Sequence, residues 1–97
     1  MLFRSRWTAL EDVPALTKTV FGLNVARDWD DFREALSTFS VPAQNVVYAD
    51  VEGNIGYQAP GLVPIRSGGD GRLPVPGWDD RFEWTGFVPY EIGRAHV

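Results

Sequence analysis

Residues 44–57 read QNVVYADVEGNIGY. Two apolar runs of β type lie on either side of the tetrad Val51-Glu52-Gly53-Asn54. Gly and Asn adopt the positive φ of a tight reversal more readily than other residues. The stretch therefore predicts a β-hairpin, although a hairpin alone says nothing about catalysis.

A first helix is predicted over residues 14–26, upstream of the hairpin. Asp12 is a suitable N-cap, and Pro14 suits the first helical turn. One face carries apolar residues at i, i+4 and i+7, which is helical spacing. These residues are Leu16, Val20 and Leu23.

A second helix is predicted to begin after Asp28. Asp28 is a suitable N-cap, and Asp30 and Asp31 fall in the first turn, where the helix dipole favours carboxylates. A cap explains these acids better than a cation site does. The helix carries an apolar stripe, for which core packing is favoured over an aromatic ligand platform. The stripe consists of Trp29, Phe32, Leu36 and Phe39.

The remaining segments have weaker signals. Residues 2–10 alternate loosely and predict a strand. Residues 60–77 are rich in Gly and Pro and predict an ordered surface loop whose Arg and Asp side chains pair locally. The glycines of this loop are not followed by Gly-Lys-Ser/Thr, which excludes a phosphate-binding loop. Residues 78–90 are interpreted as a short aromatic strand or a packed loop.

Composition excludes several classes of protein. The 97 residues carry a net charge of −4 and a single lysine, Lys18, which argues against binding to nucleic acid. No apolar run approaches the length that spans a membrane. The absence of Cys excludes disulfides and thiolate metal sites but leaves the compartment open. One domain is the economical interpretation.

Several motifs at fixed spacing extend the pattern of the hairpin. They are the RWTAL of residues 6–10, the hairpin itself, Pro64-Ile65-Arg66, Gly69-Asp70-Gly71, the LPVPG of residues 73–77 and Trp84-Thr85-Gly86. In this order they resemble the interior of the β chain of the penicillin acylase family, whose members are N-terminal-nucleophile amidohydrolases. The resemblance runs from about Arg6 to Tyr90, and residues 1–91 are interpreted as a partial segment of that chain. It implies an α+β fold, part of a four-layer αββα sandwich.

The resemblance implies hydrolysis of an acyl-amide bond through an acyl-enzyme on an N-terminal serine. That serine and one oxyanion donor would precede this segment in the parent protein, and an Asn donor would follow it. No catalytic residue is therefore assigned here, and the chain alone is expected to be inactive. Substrates in the family include β-lactam antibiotics and N-acyl homoserine lactones, and the partners implied are the remainder of the protein's own α and β chains. A periplasmic or extracellular location is implied for the parent protein.

Three positions overlay functional sites of the family. Val20 and Gln44 overlay positions that line the acyl-side pocket, where other members carry larger or more apolar groups. The alternative that Gln44 satisfies a strand edge or turn carries equal weight. Gly71 overlays a loop whose backbone carbonyl helps to bind calcium in some members, and calcium accepts backbone oxygens. The chemistry itself needs no cofactor.

Residues 92–97 are predicted to be foreign to the parent protein. One back-translation of the last seven residues matches a common short-read sequencing adaptor from its second base onward. The nucleotide sequence of the source DNA tests this, because different codons would contradict it. His96, the only histidine, is accordingly a poor catalytic candidate.

Two alternatives come from other functional classes. One is a small aromatic-rich module that binds carbohydrate by stacking on Trp29, Trp78 and Trp84. The other is a purely structural interaction segment. Exposed tryptophans would favour the first alternative.

Overall fold

A computed structural model describes residues 5–11 and 16–96 of the chain. Two helices precede five short strands. The helices are α1 (Leu16–Val25) and α2 (Trp29–Ser37), and the strands are β1 (Val46–Ala49), β2 (Ile55–Gln58), β3 (Pro64–Arg66), β4 (Trp84–Phe87) and β5 (Arg94–His96). Three single-turn 3-10 helices cover Thr8–Leu10, Asp80–Phe82 and Tyr90–Ile92.

The predicted hairpin is formed by β1 and β2. The strands are antiparallel, with Val46 opposite Gln58 and Ala49 opposite Ile55. Gly53 has a φ of 91°, whereas Asn54 does not take the positive φ expected of it. The main-chain N–H of Asn54 instead donates to the Asp50 carboxylate at 3.0 Å, so a side-chain acceptor shapes the turn on that side. β5 pairs with the other edge of β2, which gives a three-stranded sheet in the order β1-β2-β5.

The predicted N-cap of helix α2 is confirmed, and its apolar stripe packs against other residues as predicted. The Asp28 carboxylate accepts from the main-chain N–H of Asp31 at 2.9 Å. Leu36 is 2% exposed. The rings of Trp29 and Phe32 lie 5.3 and 5.0 Å from the ring of Tyr48 on β1. The aromatic stripe therefore packs α2 against one face of the hairpin.

Helix α1 packs along α2 through small and polar side chains. An alanine-sized Cβ placed on Gly22 would lie 2.8 Å from the Cβ of Ala35, so the two helices approach closely at that point. Thr19 is 1% exposed, and its hydroxyl lies 2.7 Å from that of Thr38. The predicted apolar face of α1 is helical as expected, but it lies beside this contact and stays exposed.

A second, two-stranded sheet lies inside and after the predicted loop. β3 pairs antiparallel with β4, so the 60–77 segment contains a strand that its Gly and Pro content concealed. Two arginines contact the ring of Trp84 on β4. The Arg6 guanidinium lies 4.4 Å from the ring centroid, and the Arg66 guanidinium lies 5.6 Å from it. The predicted local pairing of this loop is confirmed by the ion pair between Arg72 and Asp70 at 2.6 Å.

The strand predicted for residues 2–10 is wrong over the residues described. Thr8–Leu10 forms a 3-10 turn, and Trp7 and Leu10 are 63% and 75% exposed. A strand needs a neighbour that completes its hydrogen bonds, and no strand of the described chain pairs with this segment. Residues 1–4, Asp12 and Pro14 lie outside the described part.

The core is small. Ala35 and Leu36 are the buried hydrophobic residues among those described, whereas sixteen large hydrophobic side chains are exposed. Within the described ranges, no helix has the length and hydropathy needed to cross a membrane.

Candidate functional site

Two serine hydroxyls of the described chain, those of Ser37 and Ser67, contact main-chain carbonyl groups and not a catalytic base. Ser37 donates its hydroxyl to the carbonyl oxygen of Glu34 at 2.6 Å. The Ser67 hydroxyl lies 2.9–3.2 Å from the carbonyl oxygens of Asp80, Arg81 and Glu83. A nucleophilic serine needs a base that accepts its proton, and a main-chain carbonyl cannot serve as one. These hydroxyls tie turns together.

Val20 and Gln44, the predicted substrate-binding residues, both present their side chains at the surface. Val20 lies on α1 and is 54% exposed. Gln44 precedes β1 and is exposed, while its main-chain N–H donates to the carbonyl oxygen of Pro60 at 3.1 Å. This bond continues the register of the β1–β2 pair, in which Val46 lies opposite Gln58, so the backbone of Gln44 extends the strand pairing while its side chain stays exposed.

Gly71, the predicted calcium ligand, lies in an exposed turn with a φ of 77°. The neighbouring Asp70 carboxylate is bound by Arg72, and the Arg66 guanidinium lies within 3 Å of the place that a Gly71 side chain would occupy. Arg72 is the main cause, and Arg66 a smaller one, of the lowered pKa of Asp70. No group of three acidic or histidine side chains among the described residues is placed to hold a metal. The role of Gly71 as a calcium ligand therefore stays a prediction, and it needs carboxylates beyond those that the described residues bring together.

Asp50 organises the reversal of the hairpin. Its carboxylate accepts from the main-chain N–H groups of Glu52 and Asn54, from the Asn54 amide and from the Tyr48 hydroxyl, all at 2.9–3.0 Å. The hydrogen bond from the Asn54 side-chain amide, together with those from the other donors, lowers the pKa of Asp50. Desolvation, followed by the hydrogen bond to Asp50, raises the pKa of Tyr48 to about 12. The pair holds one proton on the phenol and none on the carboxylate.

This pair predicts a loss of stability in alkali. The folded pKa of Tyr48 exceeds the unfolded value of about 10, so its contribution is complete below pH 10 and disappears as the pH rises from about 10 to 12. Asp50→Asn should lower the pKa of Tyr48, because the carboxylate no longer disfavours the phenolate. The tyrosinate absorbance of the full-length protein, minus that of its Tyr48→Phe variant, reports this titration. A wild-type pKa of about 10 would contradict the expectation.

A second polar cluster joins α2, β2 and the turn after β4. Gln58 is completely buried. Its amide accepts from the Arg33 Nε at 3.2 Å and donates to the carbonyl oxygen of Tyr90 at 3.0 Å. The Tyr90 hydroxyl donates back to the carbonyl oxygen of Arg33 at 2.7 Å, and Arg33 also pairs with Glu91 at 2.7 Å. The cluster has no local signature in the sequence, because its bonded partners are separated by 25 to 58 positions.

Two clefts lie beside these elements. A groove of about 600 Å³ runs between α1 and α2, with small residues such as Gly22 and Ala35 in its floor and charged residues such as Lys18 and Glu34 at its rim. A polar cleft of about 690 Å³ separates the start of α2 from the hairpin turn and is lined by four acids and Arg27. The acids are Asp28, Asp30, Asp50 and Glu52. Asp28 and Asp50 already accept main-chain hydrogen bonds. Their carboxylates therefore stabilise the start of α2 and the hairpin turn, which face each other across this cleft.

Comparison with known proteins agrees with the pattern of motifs. The family profile described as penicillin amidase matches residues 3–92. Acyl-homoserine lactone acylase QuiP of Pseudomonas fluorescens Pf-5 is 40% identical over 68 residues, which cover 70% of this chain and 8% of that protein. Penicillin G acylase of Escherichia coli is 41% identical over 68 residues, which cover 69% of this chain and 8% of that protein.

A solved structure shares the fold. The thermostable penicillin G acylase of Alcaligenes faecalis matches with a TM-score of 0.70 and 32% identity over 87% of this chain and 16% of that one. The predicted α+β fold is thereby confirmed, and this chain spans a small part of each relative that it matches. The chain belongs to the penicillin amidase family.

Proposed function

We propose that this chain is an interior segment of an amidohydrolase that cleaves an acyl-amide bond through an acyl-enzyme. The nucleophile, its base and the oxyanion donors are supplied by other parts of the protein. This segment contributes scaffold and part of the wall of the acyl pocket. It needs no cofactor for the chemistry, and the full-length protein works in the periplasm or outside the cell.

The bare second face of the hairpin is the observation that carries the proposal. Tyr48 and Gly56 face α2 and contact its aromatic residues. Alternation along each strand places Val47 and Ile55 on the opposite face, where they are 77% and 54% exposed. A sheet with helices on one face and a bare apolar second face is half of a layered core. The matching relatives are long enough to supply the missing layer, because this chain covers only 8% of them.

Val20 and Gln44 are proposed to line the acyl pocket. Both side chains are free of the packing described within this chain, as pocket residues must be. An amide at Gln44 offers a hydrogen bond where other family members carry a more apolar group, so an acyl chain that bears a polar group close to the carbonyl suits this pocket. The acylated amine is the other half of the substrate, and β-lactam amides and N-acyl homoserine lactones are the candidate classes.

The test is an assay of the full-length protein against a panel of acyl amides of both classes. The full-length protein is expected to release acid and amine, and the 97-residue chain alone is expected to release none, because it holds no activated nucleophile. Gln44→Leu should shift the acyl preference of the full-length protein toward unsubstituted alkyl and aryl chains and change KM more than kcat. Activity in the 97-residue chain would refute the proposal.

A matched control separates pocket effects from folding effects. Arg27→Ala changes a side chain that is 89% exposed and forms a surface ion pair with Asp31. Exposed pairs of this kind contribute little to stability. The acyl preference of the Arg27→Ala variant should equal that of the parent protein. If Arg27→Ala changed the acyl preference as much as Gln44→Leu does, the assignment of Gln44 to the pocket would be wrong.

The carbohydrate-binding alternative is not favoured by the arrangement of the tryptophans. Trp29 packs against Phe32 and Tyr48, and the ring of Trp84 is contacted by two guanidinium groups. Trp78 is 87% exposed, but it stands on the surface without the other two. The three rings do not form a shared stacking platform.

A further inference from the structure

Helix α1 has an apolar flank on each side of its contact with α2. Thr19 and Gly22 form that contact. Leu16 and Leu23, at i and i+7, lie along one side of it and are defined here as the first flank, whereas Val20 lies beside them and is left to the proposed acyl pocket. Phe21 and Val25, at i and i+4, lie on the roughly opposite side and are defined as the second flank.

Both flanks are exposed in the described chain. The exposed fractions are 39% and 36% for the first flank and 68% and 72% for the second. Thr17 and Asn24 form a narrow polar edge that points away from α2. An amphipathic surface helix has one apolar stripe, and α2 fits that description, whereas α1 has two.

We infer that α1 is an inner helix of the full-length protein, with its two flanks covered by two different apolar surfaces of the same polypeptide. This inference rests on the proposed function, because it requires the polypeptide that surrounds the segment. The two flanks face in nearly opposite directions, so a single flat partner, such as a second copy of this chain, covers one of them and leaves the other bare. The chain covers about a twelfth of its matched relatives, 8% of their length, and that length is sufficient for two covering layers.

The second flank borders a groove in which a covering segment can pack. Val25 lines the groove between α1 and α2, together with Gly22, Ala26 and Ala35. Small side chains in the floor leave about 600 Å³, which accommodates large apolar side chains, and Lys18 and Glu34 stand at the rim. The occupant is therefore a segment with bulky apolar side chains between polar ones, as in a helix or strand that lies across the groove.

Thiol labelling of the full-length protein tests the inference. The described chain has no cysteine of its own, so Leu16→Cys reports the first flank, Phe21→Cys the second, and Asn24→Cys the polar edge of the same helix. Labelling is read at each engineered position by peptide mass spectrometry. Leu16→Cys and Phe21→Cys should react at least about 100-fold more slowly than Asn24→Cys, since a covered thiol reacts only through local opening.

Each other outcome overturns the inference. Protection of one flank alone would indicate a single covering surface, and rapid labelling of both flanks would place α1 on the surface. Protection of Asn24→Cys as well would mean that no edge is open. Protection of a flank that disappears on dilution of the protein would assign that cover to a second copy.

Hydroxyl-radical oxidation of the unmutated protein gives the same information without a substitution. Phe21 and Leu16 should be spared, whereas an exposed reference such as Trp78 should be oxidised. Failure here is distinguishable from failure of the proposed function. A protein that hydrolyses acyl amides but labels on both flanks contradicts only the inference, and a protein that is protected but inactive contradicts only the function.

Discussion

Gly56→Ala is expected to destabilise the full-length protein by about 3 kcal/mol, the upper part of the usual range for overpacking a core. A Cβ on Gly56 would clash with the Trp29 ring, three atoms of which lie within 3 Å of its position. Trp29 cannot retreat freely, because it stacks on Phe32 at 5.7 Å and meets Tyr48 at 5.3 Å. Replacing Gly by Ala restricts the unfolded chain and favours folding by about 0.4–1 kcal/mol, which is too little to offset the clash.

Gly86→Ala is the matched control for this substitution. Gly86 is also a strand glycine, on β4, and a Cβ there meets no atom within 4 Å. Its variant should unfold at the same temperature as the parent protein or slightly above it. Thermal unfolding and soluble yield of the two variants decide the matter, and equal destabilisation by both would show that contact with Trp29 is not the cause.

Gln58→Leu is expected to cost about 2–4 kcal/mol, because two partly buried polar groups lose their partner at a typical cost of about 1–3 kcal/mol each. Those groups are the Arg33 Nε and the carbonyl oxygen of Tyr90. Leucine has a similar volume and recovers part of the loss through apolar burial. Arg33 keeps its ion pair with Glu91, which limits the damage at the guanidinium.

Gln44→Leu makes the same chemical change at an exposed side chain. A surface substitution of this kind usually changes stability by less than about 0.5 kcal/mol. Comparing the denaturant midpoints of the two leucine variants isolates the contribution of the buried cluster. If Gln58→Leu were as stable as Gln44→Leu, the cluster would not hold the turn after β4 against α2.

Local signals in the sequence predicted the elements that local chemistry determines. The Asp28 cap and the stripe through Leu36 depend on residues within one or two turns, and α2 appears where they place it. The hairpin likewise follows from its own turn residues. Asn54 departs from the positive φ that turn propensity predicts, and its main-chain N–H and amide are both bound by the Asp50 carboxylate, a contact that propensity does not reveal.

Elements that depend on distant partners were missed or misplaced. β3 forms inside a Gly- and Pro-rich loop because β4, about twenty residues later, pairs with it. The Gln58 cluster joins three segments that no sequence window contains together. The N-terminal alternation predicts a strand, but no strand of the described chain pairs with residues 5–11. The predicted pocket residues Val20 and Gln44 were placed by family resemblance, and neither periodicity nor composition distinguishes them from other surface residues.

β1 has a consequence for how the full-length protein is made. It lies at the end of the three-stranded sheet, so its outer N–H and C=O groups have no neighbouring strand in the described chain. Until the covering layers have been synthesised, a nascent polypeptide of this length exposes the unpaired edge of β1 and the two apolar flanks of α1. Such intermediates associate prematurely unless chaperones bind them.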